Sequence, residues 1–248
     1  MKTHSVIIAA LAVATSLIVG TSHSGQVWQY GFEPQSVVTT NNGMVVECHS
    51  HCGPALVPLH GATNGWATPD ITGDAVFFGE ASTPLAFPDD ATQGISRVFI
   101  VATATNIQDH ATLLFGKSSL WFQSSSLGWA LDADAAEFQV NGASAANVSA
   151  YTPFIVEVAY DTPLEARDVF FGGHPAASPW RRGWLGSIEE IALAPGDVAA
   201  EDLSAIRSYL ALRWSLPLDV VCPSDAYARL KRLGMNTHGL YRTLLLML

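Results

Sequence analysis

The segment from Glu47 to Gly53, ECHSHCG, places two cysteines and two histidines within five positions. Thiolate and imidazole groups are the ligands of structural zinc sites, and paired cysteines can instead form a disulfide. Four neighbours in the chain cannot easily converge on one tetrahedral centre. A strand would put His49 and His51 on one face, with Cys48 and Cys52 split unevenly from them. The pattern therefore favours a disulfide over a metal site.

The remaining cysteine is Cys222. A Cys48–Cys52 bond would close a tight loop, whereas a bond from either residue to Cys222 would tie down the C-terminal tail. The longer loop would restrict the unfolded chain more, by about 3–4 kcal/mol. Three cysteines leave one over, so a free thiol or an intermolecular bridge stays open.

A second group of residues that could bind a ligand lies in a proline-rich loop, GGHPAASPWRRGW, at positions 172–184. Sugars stack on exposed aromatic faces, and guanidinium groups bind anionic groups. The loop tryptophan in TNGWATPD is a further candidate. We therefore predict ligand-binding residues, for an anionic sugar or an acidic partner, at His174, Trp180, Arg181, Arg182 and Trp66. The alternative is that the two arginines only balance nearby acidic residues at the rim.

Charge and targeting signals limit the partners of the chain. The formal net charge is -10 over 248 residues, which argues against nucleic acid as a partner. Lys2 and His4 precede an apolar run, and small residues follow it, so residues 1–24 are predicted to be a signal peptide cleaved after Ser24. The run is shorter than a bilayer span, although an uncleaved anchor is the alternative. We expect a secreted or extracellular protein, which includes a location at the cell surface or in the periplasm. We expect no membrane span in the mature chain.

From Gly25 onward the chain is a series of short β-like runs separated by turn residues, which predicts a sandwich or barrel. In FIVEVAY, alternate apolar residues share one face and Glu157 points the other way. In RVFIVATAT both faces begin apolar, as in a strand covered on both sides. The predicted strands are GDAVFFG, SRVFIVATAT, ATLLFG, SLWFQ, GWALD, AEFQVNG, PFIVEVAY and DVFFGG.

One segment has helical periodicity instead. Residues 195–217 carry an apolar stripe that predicts an amphipathic helix docked on the sandwich, formed by Leu203, Ile206, Leu210 and Trp214. Asp197 or Asp202 is expected to cap its start, and Pro217 to stop it.

The segment GWLGSIEEIALAPGDVAAEDLSAIRSYLALRWSL resembles the C-terminal end of laminin-G-like jelly rolls, in the concanavalin-A-like lectin and glucanase superfamily. The matching residues are Gly186, Ile188, Glu190, Ile191, Tyr209, Leu210, Ala211 and Trp214, with Arg213 where lysine is common. The runs GDAVFFGEAS, SRVFIVATAT and ARDVFFGGHP are similar to upstream strands of the family. The resemblance spans roughly Val45 to Leu216.

The resemblance implies an all-β fold: a two-sheet antiparallel jelly-roll sandwich with one C-terminal amphipathic helix docked on it. We place this domain at residues 25–221, followed by a tail at 222–248 with a short helix and an apolar strand. This superfamily hosts sugar-binding modules, adhesion domains, glycosidases and structural units, so the fold alone assigns no activity.

Glycosidases of this superfamily carry acidic residues on one strand. The nearest pattern here is LDADAAEF, with Asp132, Asp134 and Glu137. The first position is Asp, which shortens its reach, and Glu137 follows an apparent strand end. Acidic residues near a turn are usually solvated, so we expect no catalytic residues.

Calcium is common at laminin-G-like rims, and Asp89 and Asp90 in FPDDATQG are weak candidates for it. Otherwise we expect no cofactor. The prediction is a secreted, non-catalytic recognition or adhesion module, for a carbohydrate or an extracellular protein. The first alternative is a structural subunit of an extracellular assembly whose subunits are joined through the C-terminal tail. Such an assembly could be a homo-oligomer. The second is a glycoside hydrolase.

Overall fold

The computed structural model describes residues 25–40, 43–60, 69–106, 111–116, 120–125, 128–132, 137–144, 148–175, 183–196, 198–218 and 224–237. For residues 120–125 and 128–132 the description covers the backbone alone.

The described secondary structure is mostly β, as the turn-punctuated runs predict. The strands are β1 (Trp28–Gly31), β2 (Val37–Thr39), β3 (Val45–Cys48), β4 (Val57–Pro58), β5 (Asp70–Thr72), β6 (Ala75–Phe78), β7 (Leu85–Ala86), β8 (Gly94–Ala104), β9 (Thr112–Gly116), β10 (Leu120–Ser125), β11 (Gly128–Asp132), β12 (Glu137–Val140), β13 (Pro153–Glu165), β14 (Val169–Phe171) and β15 (Gly186–Ala194). The helices are α1 (Ala200–Trp214) and α2 (Ala226–Arg232), with short 3-10 helices at Pro34–Ser36 and Ala166–Asp168.

Two large antiparallel sheets form a sandwich-like architecture. Sheet I has the strand order β12-β13-β8-β15-β6-β5, and β1 also pairs with β15. Sheet II has the order β11-β10-β9-β14-β7-β4. The short β2–β3 ribbon contacts sheet II through Cys48 and Leu56 and sheet I through Met44 and Asp70. The ribbon therefore links the two sheets along one side.

The main core lies between the sheets. Sheet I contributes Val98 and Ile100 of β8, and sheet II contributes Phe171 of β14; all three are fully buried. The alternation predicted for FIVEVAY is confirmed. The buried residues of its inner face are Phe154, Val156, Val158 and Tyr160. On the opposite face, the Glu157 carboxylate accepts hydrogen bonds from the Arg207 Nε at 2.5 Å and Nη2 at 2.7 Å.

A second core covers the outer face of sheet I. Phe99 and Val101 of β8 are fully buried there, which confirms that β8 is covered on both sides. Residues of α1 pack against this face. The buried α1 residues of this core are Leu203, Ala205, Ile206, Tyr209, Leu210 and Ala211. The helices therefore form a third layer behind sheet I.

The start of α1 differs from the sequence prediction. Its N-cap is Ala199, which makes no side-chain cap hydrogen bond, so capping by Asp202 is wrong. Asp202 lies in the first turn, and its carboxylate binds Arg229 at 3.0 Å and Arg232 at 2.7 Å. The helix ends at Ser215, whose φ of 51° is left-handed. Asp197, the other cap candidate, lies outside the described residues.

A second helix joins α1 on sheet I, although the sequence predicts one docked helix. Leu230 of α2 is fully buried in the outer core, and Leu233 and Met235 after it are 5% exposed. The Val27 backbone N–H donates to the Leu233 carbonyl oxygen at 2.8 Å. The tail from 224 to 237 is therefore part of the folded domain.

A buried carboxylate joins sheet I to the helix layer. Glu190 of β15 is fully buried, and its carboxylate accepts from Gln29 Nε2 at 2.5 Å and from Trp214 Nε1 at 2.7 Å. Arg213 Nε lies 3.2 Å from Glu190 Oε2, and the same guanidinium also pairs with Glu33. Burial raises the pKa of Glu190, and the Arg213 charge opposes that shift.

The tail adds hydrogen bonds to this network through the backbone of Asn236. Gln29 Oε1 accepts from the Asn236 backbone N–H at 2.7 Å, and the Tyr209 hydroxyl donates to the Asn236 carbonyl oxygen at 3.1 Å. The hydrogen bonds and the ion pair of the buried Glu190 carboxylate thus come from residues of β1 and α1. They form only when both elements are in place on β15. We call Glu190, Gln29, Tyr209, Arg213 and Trp214 the Glu190 network.

Gly186 begins β15 at a position without room for a side chain. A Cβ there would lie 2.0 Å from the Thr103 carbonyl oxygen, and its φ is 153°. We expect Gly186→Ala to lower the free energy of unfolding by about 1–3 kcal/mol, because β8 must move away from β15. Urea denaturation checks this value. Gly73→Ala is a poor control because its φ is 62°, whereas Gly79→Ala adds a Cβ with no atom within 4 Å and should change little.

Candidate functional site

The ECHSHCG segment does not form the predicted Cys48–Cys52 disulfide. Cys48 and Cys52 are both free thiols. Cys48 is fully buried in the main core, and burial raises its pKa to about 12, with the Glu47 carboxylate adding to the shift. The Cys52 thiol lies 3.6 Å from the Gly234 carbonyl oxygen. Cys48 is the last residue of β3 and lies in the core, whereas Cys52 lies after the strand and is partly buried against that core. Cys222 lies outside the described residues.

An open groove of about 680 Å³ lies on the outer face of sheet II. Its lining residues are Leu59, Phe87, Asp89, Phe115, Arg167, Asp168, Phe170 and Pro175. They come from β9, β14 and the segments that flank β4, β7 and β14. Small-molecule sites are clefts of about 300–1,000 Å³ with mostly apolar walls and a few polar groups. We call this cavity the sheet II groove.

Two phenylalanines form its floor. Phe115 of β9 and Phe170 of β14 are directly opposed in the register, with ring centroids 6.0 Å apart and planes inclined by 48°. Val169 and Phe171, on either side of Phe170, are buried in the core, so strand alternation turns Phe170 outward. Both floor residues are half-buried. Part of each of these two side chains is therefore exposed.

Charged side chains lie at one end of the groove. Asp89 follows β7, and Arg167 and Asp168 belong to the 3-10 helix before β14. The Arg167 Nη2 lies 2.5 Å from Glu165 Oε2, in a pair whose side chains are 44% and 45% exposed. The Arg167 backbone N–H donates to the Ala91 carbonyl oxygen at 2.9 Å, which holds the Asp89 turn against this helix.

Leu59 and Pro175 form a wall of the groove, and His60 contacts Pro175. His60 Nε2 lies 3.2 Å from the Pro175 carbonyl oxygen, and the His60 backbone N–H donates to Thr83 Oγ1 at 2.9 Å. His174, predicted as a ligand-binding residue, lies beside this wall with its ring 4.2 Å from that of Phe115. It thus extends the aromatic surface of the groove. The other predicted binding residues, Trp66, Trp180, Arg181 and Arg182, lie outside the described residues.

The acidic trio of the glycosidase pattern is divided between the sheets. Asp132 is the last residue of β11 in sheet II, and Glu137 is the first residue of β12 in sheet I. Glu137 is exposed, and Asp134 lies outside the described residues. The predicted strand end before Glu137 is confirmed. The strand that would carry all three acids is therefore interrupted between the first and the last of them.

The calcium candidates have different positions. Asp89 lines the sheet II groove, and Asp90 is exposed in the same turn. Within the described ranges, no three His, Cys, Asp or Glu side chains come together as a metal-binding group. Of the helices that the structure describes, none combines the length and the apolar character that crossing a membrane requires.

Sequence reasoning missed the groove because it considered tryptophans in loops. The informative signal was present in two predicted strands, TLLFG and DVFFGG. In the second, Val169 and Phe171 share the inner face, so Phe170 must be an outward aromatic residue.

The described architecture defines the chain as a mostly β, sandwich-like protein with helices over one sheet and an aromatic groove on the other. Comparison with protein-family models, curated proteins and solved structures finds no match to it.

Proposed function

We propose that this chain is a laminin-G-like jelly roll of the concanavalin-A-like superfamily and acts as a secreted, non-catalytic carbohydrate-binding module. Two observations support the family proposal. Sheets I and II enclose one core, and the residues of the resembling motif have structural roles that depend on one another. Glu190 of the motif strand receives hydrogen bonds or charge from Trp214 and Arg213 of the motif helix.

The binding proposal rests on the sheet II groove. Its floor offers two adjacent phenyl rings, against which the apolar C–H face of a sugar ring can stack. The charged groups at its end can bind the hydroxyl groups at the rim of the same ring. An aromatic floor with polar groups at one side suits a pyranose, which has an apolar face and a polar edge.

We expect Phe170→Ala to weaken oligosaccharide binding about tenfold, which corresponds to about 1.4 kcal/mol of lost stacking. Phe115→Ala should have a similar effect. A glycan array with the full chain would first select a ligand, and isothermal titration calorimetry would then compare the variants.

Phe77→Ala is the matched control, because Phe77 is 36% exposed on β6 of sheet I, the sheet opposite the groove. It should bind as the wild-type protein does. Circular dichroism would verify that each variant is folded. If the folded wild-type chain binds no glycan, or if the Phe77 variant loses as much affinity as the Phe170 variant, the proposal is wrong.

A further inference from the structure

Tyr151 is the most exposed large apolar residue in the part of the chain that the structure describes. It is 76% exposed, whereas the next, Val46, is 45% exposed. Aromatic side chains stabilise a fold mainly through the surface that they bury. Since most of the Tyr151 surface stays in contact with solvent, its ring contributes little to the packing of the domain.

The backbone of Tyr151 has a conformation that is unfavourable for a tyrosine. Its φ is 62°, in the left-handed region. It is the third residue of a turn in which the Thr152 backbone N–H donates to the Ser149 carbonyl oxygen at 3.4 Å. Glycine and asparagine favour this position, because the Cβ of other residues crowds the backbone there. A tyrosine that strains its backbone and buries little surface points to a function of its side chain.

The turn is attached to the end of sheet I. The Tyr151 backbone N–H donates to the Ala104 carbonyl oxygen at 2.7 Å, next to the position where Pro153 of β13 pairs with Thr103 of β8. The two central strands of the sheet therefore determine where the tyrosine leaves the domain. An aromatic side chain with only two rotatable bonds on a fixed backbone loses little conformational entropy when it binds a ligand.

The polar residues beside Tyr151 in the turn, and at the end of β8, are uncharged. Ser149, Thr152 and Asn106 are all exposed. The described segments 102–106 and 148–156 contain no Asp, Glu, Lys or Arg. Hydroxyl and amide groups both donate and accept hydrogen bonds, as the hydroxyl groups of a sugar do. A charged ligand would find no opposite charge in these segments, so the surface suits a neutral ligand.

We infer that the turn from Ser149 to Thr152 is a second carbohydrate-binding site, the rim site, where the Tyr151 ring stacks on the apolar face of a neutral sugar. Ser149 and Thr152 bind the sugar hydroxyls. The inference rests on the proposed function and adds a second site to it, because Tyr151 lies at the end of sheet I and does not line the sheet II groove. A chain with two sites can bridge two branches of one glycan, which raises the overall affinity.

The test is a nuclear magnetic resonance titration of the isotope-labelled, full-length protein with the neutral oligosaccharide that gives the strongest signal on the array. We expect the backbone amide signals of two regions to shift, one around Phe170 in the groove and one around Tyr151. The rim signals should need about tenfold more glycan, because the rim site has one ring and no cavity. Tyr151→Ala should abolish the rim shifts alone, whereas Tyr151→Phe should keep both sets.

Tyr151→Asn separates binding from folding, because asparagine tolerates the left-handed backbone. It should abolish the rim shifts and yet raise the Tm by about 2–4 °C, since the strain is relieved. A residue with a purely structural role would not lose binding and gain stability together. Val46→Ala, which shortens an exposed apolar side chain of the β2–β3 ribbon, is the matched control and should leave both sets of shifts unchanged.

Groove shifts without rim shifts, at every glycan concentration, would overturn the inference and leave the proposed function intact. A lower Tm for Tyr151→Asn would also overturn it, because the ring would then stabilise the turn. Rim shifts without groove shifts would support the rim site and contradict the sheet II groove. No shift in either region, with no glycan bound on the array, would instead overturn the proposed function itself.

Discussion

Arg213→Ala is expected to lower the free energy of unfolding by about 3–5 kcal/mol at neutral pH, the cost of leaving a buried charge without its partner. The substitution removes the cation that lies 3.2 Å from Glu190, a carboxylate with no exposed surface. The neutral donors Gln29 and Trp214 stay, but they cannot supply the lost Coulombic attraction. Urea denaturation, with the slope compared between proteins, measures the loss.

The same variant should recover stability on acidification. Burial raises the pKa of Glu190 in the folded state above its ordinary value of 4.5, and loss of Arg213 raises it further. A carboxyl group with a raised folded pKa contributes its full stability below the unfolded pKa and loses it as the pH rises through the folded pKa. The penalty of Arg213→Ala should therefore be largest at neutral pH and shrink as the pH falls toward 4.5.

Arg167→Ala is the control for charge removal as such. Arg167 and Glu165 are 44% and 45% exposed, so their pair should contribute only about 0–1 kcal/mol. If Arg213→Ala costs no more than this control, or costs the same at acidic and neutral pH, the Glu190 network does not stabilise the fold as described.

Removal of the tail from residue 224 is expected to abolish cooperative unfolding. The truncated chain loses two buried leucines and a methionine, which together contribute about 5 kcal/mol or more. It also removes Arg229 and Arg232, which pair with Asp202, and the Asn236 backbone N–H that binds Gln29. Since whole domains are stable by about 5–15 kcal/mol, little stability would remain. Near-ultraviolet circular dichroism and dye binding to exposed apolar surface would report the loss.

A chain that ends at Thr237 is the matched truncation, because it keeps each of these contacts. Sedimentation of both truncations also addresses assembly through the tail. If the shorter chain unfolds as cooperatively as the longer one, α2 is not part of the domain. If the full-length protein forms oligomers and the chain ending at Thr237 does not, then residues after 237 join the subunits.

The sequence was most informative where one periodicity held over a whole element. The alternation in FIVEVAY and the double apolar faces of RVFIVATAT predicted β13 and β8, because a strand's side chains must point to alternate sides. The stripe in residues 195–217 predicted α1 for the equivalent reason. The very short strands β4 and β7 were missed, since two residues carry no period.

What the sequence could not predict depends on contacts between distant residues. The sequence identified Glu190 only as a residue of the family-like motif, and its burial depends on contacts with Gln29 and Arg213 that the sequence does not show. The tail was predicted to contain a short helix and an apolar strand, but not that the helix would pack beside α1 in the outer core; the apolar end of the tail lies outside the described residues. The sheet II groove combines residues from Leu59 to Pro175, which no local motif connects.

The position of β1 determines the order in which the domain can be completed. Its Trp28 pairs with Leu193 of β15, and its Gln29 binds Asn236, 207 residues further along the chain. β1 contacts residues near it in the sequence, such as Pro54 and Phe87, but its partner strand is made only after most of the chain has been synthesised. Pairing over such separations also slows folding, because the conformational entropy of closing a long loop is lost before the stabilising contacts form. The edge of sheet I that β1 forms can therefore be completed only late, when β15 and the residues up to Asn236 are present.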